Sequence, residues 1–186
     1  MKRAHGQMSE SLLLGAMLAM AGGFFDAYTY LCRGKVFANA QTGNIVLFGA
    51  NIAEGNWLRA AEYFLPILAF ALGVVAAEIV KRRYKKRQSD INIHWRQIVV
   101  LVEIVLLIAA AFLPQSMNTT VNIMISFICA MQVESFRKIH GHGIATTMCI
   151  GNLRSALQSV DDYIVTRKRG FLENGVLYFG VILCFV

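Results

Sequence analysis

Asp26 is the residue of this sequence with the most to explain. It lies inside a long apolar run from Ser11 to Cys32, where a carboxylate has little water to solvate it. A charged Asp at the centre of a membrane helix costs roughly 2.5–3.5 kcal/mol unless it is paired, neutral or turned to a wet cavity. Such residues mark proton relays and solute paths. Protonation removes the charge, and with it the cost of passing through a dry state, so a carboxylate can couple a gradient to motion.

The second group is Gln41-Thr42-Gly43-Asn44. Small and amide side chains in a membrane helix serve packing, with Gly43 admitting a neighbouring backbone and Thr42 and Asn44 bonding across helices. They also suit a helix broken at Gly43, with freed backbone groups and the Asn44 amide facing a polar cavity. Ala145, Thr146, Thr147, Gly151 and Asn152 then line the opposite side of that cavity. Glu134 joins these candidates for a substrate or ion path, although Arg137, three residues on, offers it a local ion pair. Glu103 is a further carboxylate inside an apolar run. Gly15, Gly22 and Gly23 read as a helix-packing face.

No reaction centre is expected, since HExxH, GxSxG and a paired His and Cys set are all absent. The chain is therefore not read as an enzyme, and no cofactor is expected. His140 and His142 form an HxH without Cys or carboxylate partners nearby, and Cys32, Cys129, Cys149 and Cys184 are scattered. No metal site is expected, and the cysteines read as small hydrophobes.

These residues sit in an unusually apolar chain. Of 186 residues 56% are hydrophobic, only 16% are charged and mean hydropathy is +0.53, against a soluble average near 25% charged. One soluble core cannot hide so much apolar surface, so lipid must solvate part of it. A spanning helix needs about 20 mostly apolar residues. Ser11 to Cys32 and Leu58 to Val80 qualify, with Ile98 to Leu113, Thr119 to Phe136 and Phe171 to Val186 as shorter runs. None alternates with the period of a barrel strand. The fold class is all-α, a polytopic transmembrane helical bundle. Lys2 and Arg3 ahead of an apolar stretch mimic a signal peptide, but the apolar character continues through Phe24, Phe25, Tyr28 and Tyr30, so a retained first helix is expected.

The net charge is +7, but six of the 18 Lys and Arg residues fall in one run, Lys81, Arg82, Arg83, Lys85, Lys86 and Arg87. A nucleic-acid surface spreads its basic groups over an exposed face. A basic run between apolar stretches marks a cytoplasmic loop. The partner is the lipid bilayer, with a small polar solute and a second copy as further expectations and no nucleic acid.

Val36 to Ala53 and Gly143 to Val160 carry Gly and Asn in their middles and match each other. A shift of 108 lays Gly43-Asn44 on Gly151-Asn152, Asp26 on Glu134, Glu54 on Asp162 and Arg59 on Arg167; with one deletion Gly73 falls on Gly180. Residues 1–186 thus read as a single integral membrane domain with a weak internal repeat. Unit one covers 11–113 with a cytoplasmic basic loop at 81–96, and unit two covers 119–186. The second unit is short by roughly 34 residues and one helix, so truncation from a protein of ~220 residues is expected, a second unit short by nature being the alternative. Duplication is common in transporter folds, with the site where the halves meet.

Two layouts satisfy these features. If residues 36–53 cross fully, the basic run lies inside and Lys2, Arg3 and Arg167 to Arg169 lie outside. If the two glycine-bearing segments are re-entrant, all the basic groups fall inside and the halves are inverted.

The block from Gly22 to Gly49 resembles the signature of the YoaK-type family of bacterial membrane proteins, a domain-of-unknown-function family. Asp26, Ala27, Tyr30, Val36, Phe37, Ala38, Asn39, Thr42, Gly43 and Asn44 stand where that pattern expects them. Met131 and Gln132, Arg137, Ala145-Thr146-Thr147 and Gly151-Asn152-Leu153 are similar to its second signature, except that Ile150 stands before Gly151 in place of Thr. The resemblance spans nearly the whole chain. It implies a bacterial inner-membrane protein, often taken for a permease, and brings no substrate or catalytic residue. Residues and resemblance together lead to a small-molecule transporter, proton-coupled through Asp26. The alternative is a non-transporting membrane module that assembles with or regulates partner proteins.

Overall fold

The computed structural model describes residues 11–86, 94–139 and 142–186. Lys2, Arg3, Glu10, Arg87 and His140 lie outside the described residues. Seven α-helices account for nearly all of the described chain: α1 (Leu12–Cys32), α2 (Gln41–Ala53), α3 (Trp57–Lys86), α4 (Trp95–Ala111), α5 (Asn118–Ser135), α6 (Cys149–Thr166) and α7 (Arg169–Phe185). A two-residue antiparallel pair, β1 (Lys138–Ile139) with β2 (His142–Gly143), is the one strand pairing among the described residues. The all-α expectation holds. Among the described residues two helices, over Leu12–Cys32 and Trp57–Tyr84, are long and apolar enough to cross a membrane.

The chain divides into two compact units, Phe25–Ser135 and Met1–Phe24 with Phe136–Val186. The divisions fall within α1 and just after α5, so they do not follow the repeat boundary near residue 119.

In Phe25–Ser135, side-chain bonds fix the direction of every helix. The guanidinium of Arg33, just past the end of α1, donates to the carbonyls of Leu113 (3.0 Å) and Pro114 (3.1 Å) and to Asn118 Oδ1 (3.3 Å). The end of α1, the end of α4 and the start of α5 therefore meet. Arg59 near the start of α3 donates to the Gly34 carbonyl at 2.6 Å, placing that helix start at the same end. At the opposite end Arg96 donates to the Ser135 carbonyl at 2.9 Å, and Ala77, Trp95, Val99 and Met131 form a buried cluster. Within this unit α1 and α4 run one way, α3 and α5 the other.

Local chemistry explains the boundaries. His94 and Gln97 form a reciprocal capping box that opens α4, and Pro114 follows its end. The apolar run of α3 was expected to end at Val80, but the helix continues through Lys86 because Lys and Arg are good helix formers. Its 30 residues span about 45 Å, more than a ~30 Å hydrocarbon core. Gly73 brings α3 against α5, since a Cβ there would lie 2.5 Å from the Phe127 carbonyl oxygen.

In the other unit the buried cluster is Ala19, Ile144 and Val181, covered by Leu177, Tyr178 and Cys184. A Cβ on Gly22 would lie 3.3 Å from both the Thr146 oxygen and Thr147 Cγ2. The packing face read at Gly22-Gly23 is thus occupied, at Gly22 by the segment preceding α6 and at Gly23 by the Phe185 backbone of α7. Gly175 likewise packs α7 on Val160 and Ala156 of α6.

Candidate functional site

The segment between α1 and α2 turns back at Gly34 and Lys35, whose φ angles of 90° and 64° are both left-handed. A glycine takes the first of these without strain. The chain then runs beside α1 rather than away from it, and Phe37 stacks on Tyr30 with ring centroids 4.6 Å apart. Residues 36–40 are irregular, with bends at Ala38 and Asn39, and their backbone groups must find partners other than a helix ladder.

Three polar side chains supply them. Asp26 Oδ1 accepts the backbone N–H of Asn39 at 2.7 Å and of Ala40 at 3.4 Å. Asn44 brackets Phe37, its Nδ2 donating to the carbonyl at 2.7 Å and its Oδ1 accepting the N–H at 3.0 Å. Gln41 Nε2 donates to the Ala38 carbonyl at 2.7 Å, and its Oε1 accepts from Asn44 at 2.9 Å. Ala40 is the N-cap of α2 and has no capping side chain. Asp26 therefore supplies the acceptor for unpaired N–H groups at this helix N-terminus. An N-terminal carboxylate from another helix replaces an ordinary cap.

This geometry corrects the position of the helix break. It falls over residues 36–40, ahead of α2, and not at Gly43. Gly43 lies within the first turn, where a Cβ would be 2.9 Å from the Phe37 ring. Thr42 is exposed and stands apart from Asp26, whereas Asn44 is fully buried. The 13 residues of α2 span only about 20 Å. They start beside the interior of α1 and end where α3 begins.

Three groups gather around the Asp26 anchor. The Asn39 amide shares a hydrogen bond with the Cys129 thiol of α5, and that thiol lies within electrostatic reach of Asp26 and of Glu103 in α4. Asp26, Asn39, Glu103 and Cys129 are all buried. Ser126, one turn before Cys129, is buried as well, and neither its hydroxyl nor Glu103 Oε1 has a hydrogen-bond partner. Two carboxyl groups and a thiol thus share an interior that also holds unmatched polar atoms. Sequence reading had set Cys129 aside as a small hydrophobe and named neither Ser126 nor Asn39 among the site residues. Serine and cysteine at a three-residue spacing on α5 were the available signal.

Glu134 does not join this group. It lies about 7–8 Å further along α5 than Cys129, and it shares a hydrogen bond with Glu78 of α3, which also bonds Lys81. In the other unit Thr146, Thr147 and Asn152 are buried while Gly151 is exposed. Asn152 Nδ2 donates to the Ala145 carbonyl at 2.7 Å. That bond repeats the one from Asn44 to Phe37 at the same distance and the same seven-residue separation. Among the described residues no group of three or more His, Cys, Asp or Glu is arranged to hold a metal ion. His140 falls outside them.

A family model described as "Protein of unknown function (DUF1275)" matches residues 14–186, nearly the entire chain. The chain belongs to that family. Within it, the UPF0700 transmembrane protein YoaK of Bacillus subtilis (strain 168) is 26% identical over 174 residues, covering 87% of this chain and 73% of the relative. The family resemblance read from the Asp26 and Asn44 blocks holds, and this is a membrane protein of the DUF1275 family. No solved structure matches.

Proposed function

We propose that this chain is a multi-pass transporter of a small polar solute in the bacterial inner membrane, coupled to protons through the buried acids Asp26 and Glu103. One observation carries the reading: both carboxyl groups lie about the Asn39–Cys129 contact, inside a helical unit of a membrane protein. Buried intramembrane acids and polar atoms without partners are what a proton path needs. The reading assigns no catalytic residue and no cofactor. Its partners are the lipid bilayer, a small polar solute and a second copy of the chain.

The topology that goes with it is re-entrant. Residues 36–53 enter beside Asp26 and return to the end they came from, so within Phe25–Ser135 the basic residues Lys81 to Lys86 lie on the side opposite Gly34 and Arg59. Charge bias makes that side cytoplasmic. The recurrence of the Asn-to-carbonyl bond at Asn44 and Asn152 supports the internal repeat. Since α1 and α5 run in opposite directions within their unit, the repeats are inverted, a frequent transporter plan.

A second reading is favoured by the bonds to Asp26, which already accepts two backbone N–H groups and serves as a fixed anchor. In that reading the chain is a non-transporting module that assembles with partners. Metabolite comparison of cells with and without the gene supplies a solute. Proteoliposomes loaded with a pH-sensitive dye then report solute-driven proton movement. Transport requires that Glu103→Gln abolish the proton signal while the protein still folds. Silent wild-type liposomes across a broad metabolite panel favour the module.

A further inference from the structure

A recess of about 80 Å³ opens where α1 ends and α3 and α5 begin, lined by Arg33, Arg59, Glu62, Asn118, Thr119 and Asn122 among others. It lies at the end of the unit opposite the basic run and does not include Asp26 or Glu103. Its charges do not cancel, because two guanidinium groups face one carboxylate.

The polar atoms are sorted by their existing bonds. Arg33 is buried and spends its donors on Tyr28, Leu113, Pro114 and Asn118, so it is mainly a fixed positive charge. Asn118 Oδ1 is taken by Arg33, which leaves its Nδ2 to offer. That Nδ2 and Arg59 Nη1 each come within 4.0 Å of the point where a Cβ on Gly34 would stand. Donors thus stand on both flanks of Gly34. On the acceptor side Glu62, partly exposed, already takes one N–H of Arg59 Nη1, which leaves the second N–H of that nitrogen to offer. Asn122 donates its Nδ2 to the Arg33 carbonyl at 2.8 Å, and its Oδ1 is buried without a hydrogen-bond partner. A buried acceptor left unpaired is destabilising, and a bound N–H group relieves it.

We propose that this recess binds a small zwitterion, an anionic oxygen group and an ammonium borne by one molecule. The anion lies against Arg59 Nη1 and Asn118 Nδ2 in the field of Arg33, and the ammonium donates to Asn122 Oδ1 and Glu62. A planar guanidinium with an amide donor beside it suits carboxylate or phosphate oxygens. A free amino acid and an ethanolamine phosphate headgroup share this chemistry. The inference rests on the transport reading only in calling the occupant a substrate.

The test uses the full chain purified in detergent, with binding read by calorimetry and by thermal shift. The probes are L-alanine and phosphoethanolamine, with acetate, inorganic phosphate and methylammonium as single-charge controls. A zwitterion should bind at least tenfold more tightly than every control. Glu62→Gln should weaken that binding at least tenfold while leaving acetate binding unchanged or tighter, and Arg59→Gln should abolish both. Preference for alanine identifies a free amino acid, preference for phosphoethanolamine a lipid headgroup. The proposal is overturned if controls bind as tightly as zwitterions, if no probe binds, or if Glu62→Gln binds zwitterions like the wild type. Asp26→Asn separates the two readings, because it should keep binding whether or not the protein transports. Binding without any uptake sinks the transport reading and leaves the recess standing.

Discussion

Asp26 accepts the backbone N–H of Asn39 at 2.7 Å, so an acid inside α1 is bonded first to its own chain, thirteen residues on. Removing that acceptor should loosen residues 36–40. Asp26→Ala is expected to lower stability by about 2–3 kcal/mol, the range for charge-assisted bonds lost in a buried setting. Asp26→Asn keeps an acceptor oxygen and should cost clearly less. Thermal unfolding in detergent, followed by tryptophan fluorescence, measures both. Equal losses would argue against the anchor.

Asn44 holds both backbone groups of Phe37 and one oxygen of Gln41. Asn44→Ala should therefore cost about 2–4 kcal/mol, since it leaves buried groups unpaired. Asn152→Ala breaks the equivalent bond to Ala145 and should destabilise in the same direction. A neutral result at both positions removes the main structural support for the repeat.

Gly73 and Gly49 predict opposite signs for the same substitution. A Cβ on Gly73 would stand 2.5 Å from the Phe127 carbonyl oxygen and 2.7 Å from the Ala130 Cβ, so Gly73→Ala should push α3 from α5 at a cost of about 1–3 kcal/mol. Gly49 in α2 has nothing within 4 Å of a new Cβ. There Gly49→Ala should stabilise by roughly 0.5–1 kcal/mol through helix propensity. Paired melting curves decide the matter.

His94 caps α4 from outside the spanning segments, its Nδ1 accepting the Arg96 N–H at 3.3 Å. Partial burial and the positive charge of Arg96 hold its imidazole below the ordinary value of 6.5. A histidine kept neutral in the folded state binds fewer protons there than when unfolded. Its contribution is complete above pH 6.5, declines as the pH falls below that value and levels off under the folded pKa. Melting temperature should drop between pH 7.5 and 5, with His94→Asn, which caps without titrating, showing a smaller drop.

The helices were legible wherever hydropathy decides them. The run Ser11 to Cys32 became α1, and Thr119 to Phe136 became α5 within one residue at each end. Residues 36–53 were harder, because Ala38 looks as helical as any neighbour, while the partners that hold residues 36–40 out of the helix come from Asp26, Gln41 and Asn44. The depth of Asp26 was readable from the run that surrounds it. Its partners were not, since backbone N–H groups carry no sequence signature. Cys129 escaped for a related reason, for only folding brings it near Glu103. Arg33, at the tail of an apolar run, showed its charge in the sequence but not the two carbonyls it would hold.

That guanidinium has a mechanical consequence. By gripping Leu113, Pro114 and Asn118 it pins the corner between α4 and α5 to the tip of α1, so those three helix ends can shift only as one rigid block. Flexing within Phe25–Ser135 must then be taken up elsewhere, and Pro66, buried inside α3 with no N–H to complete the ladder, is the built-in weak joint.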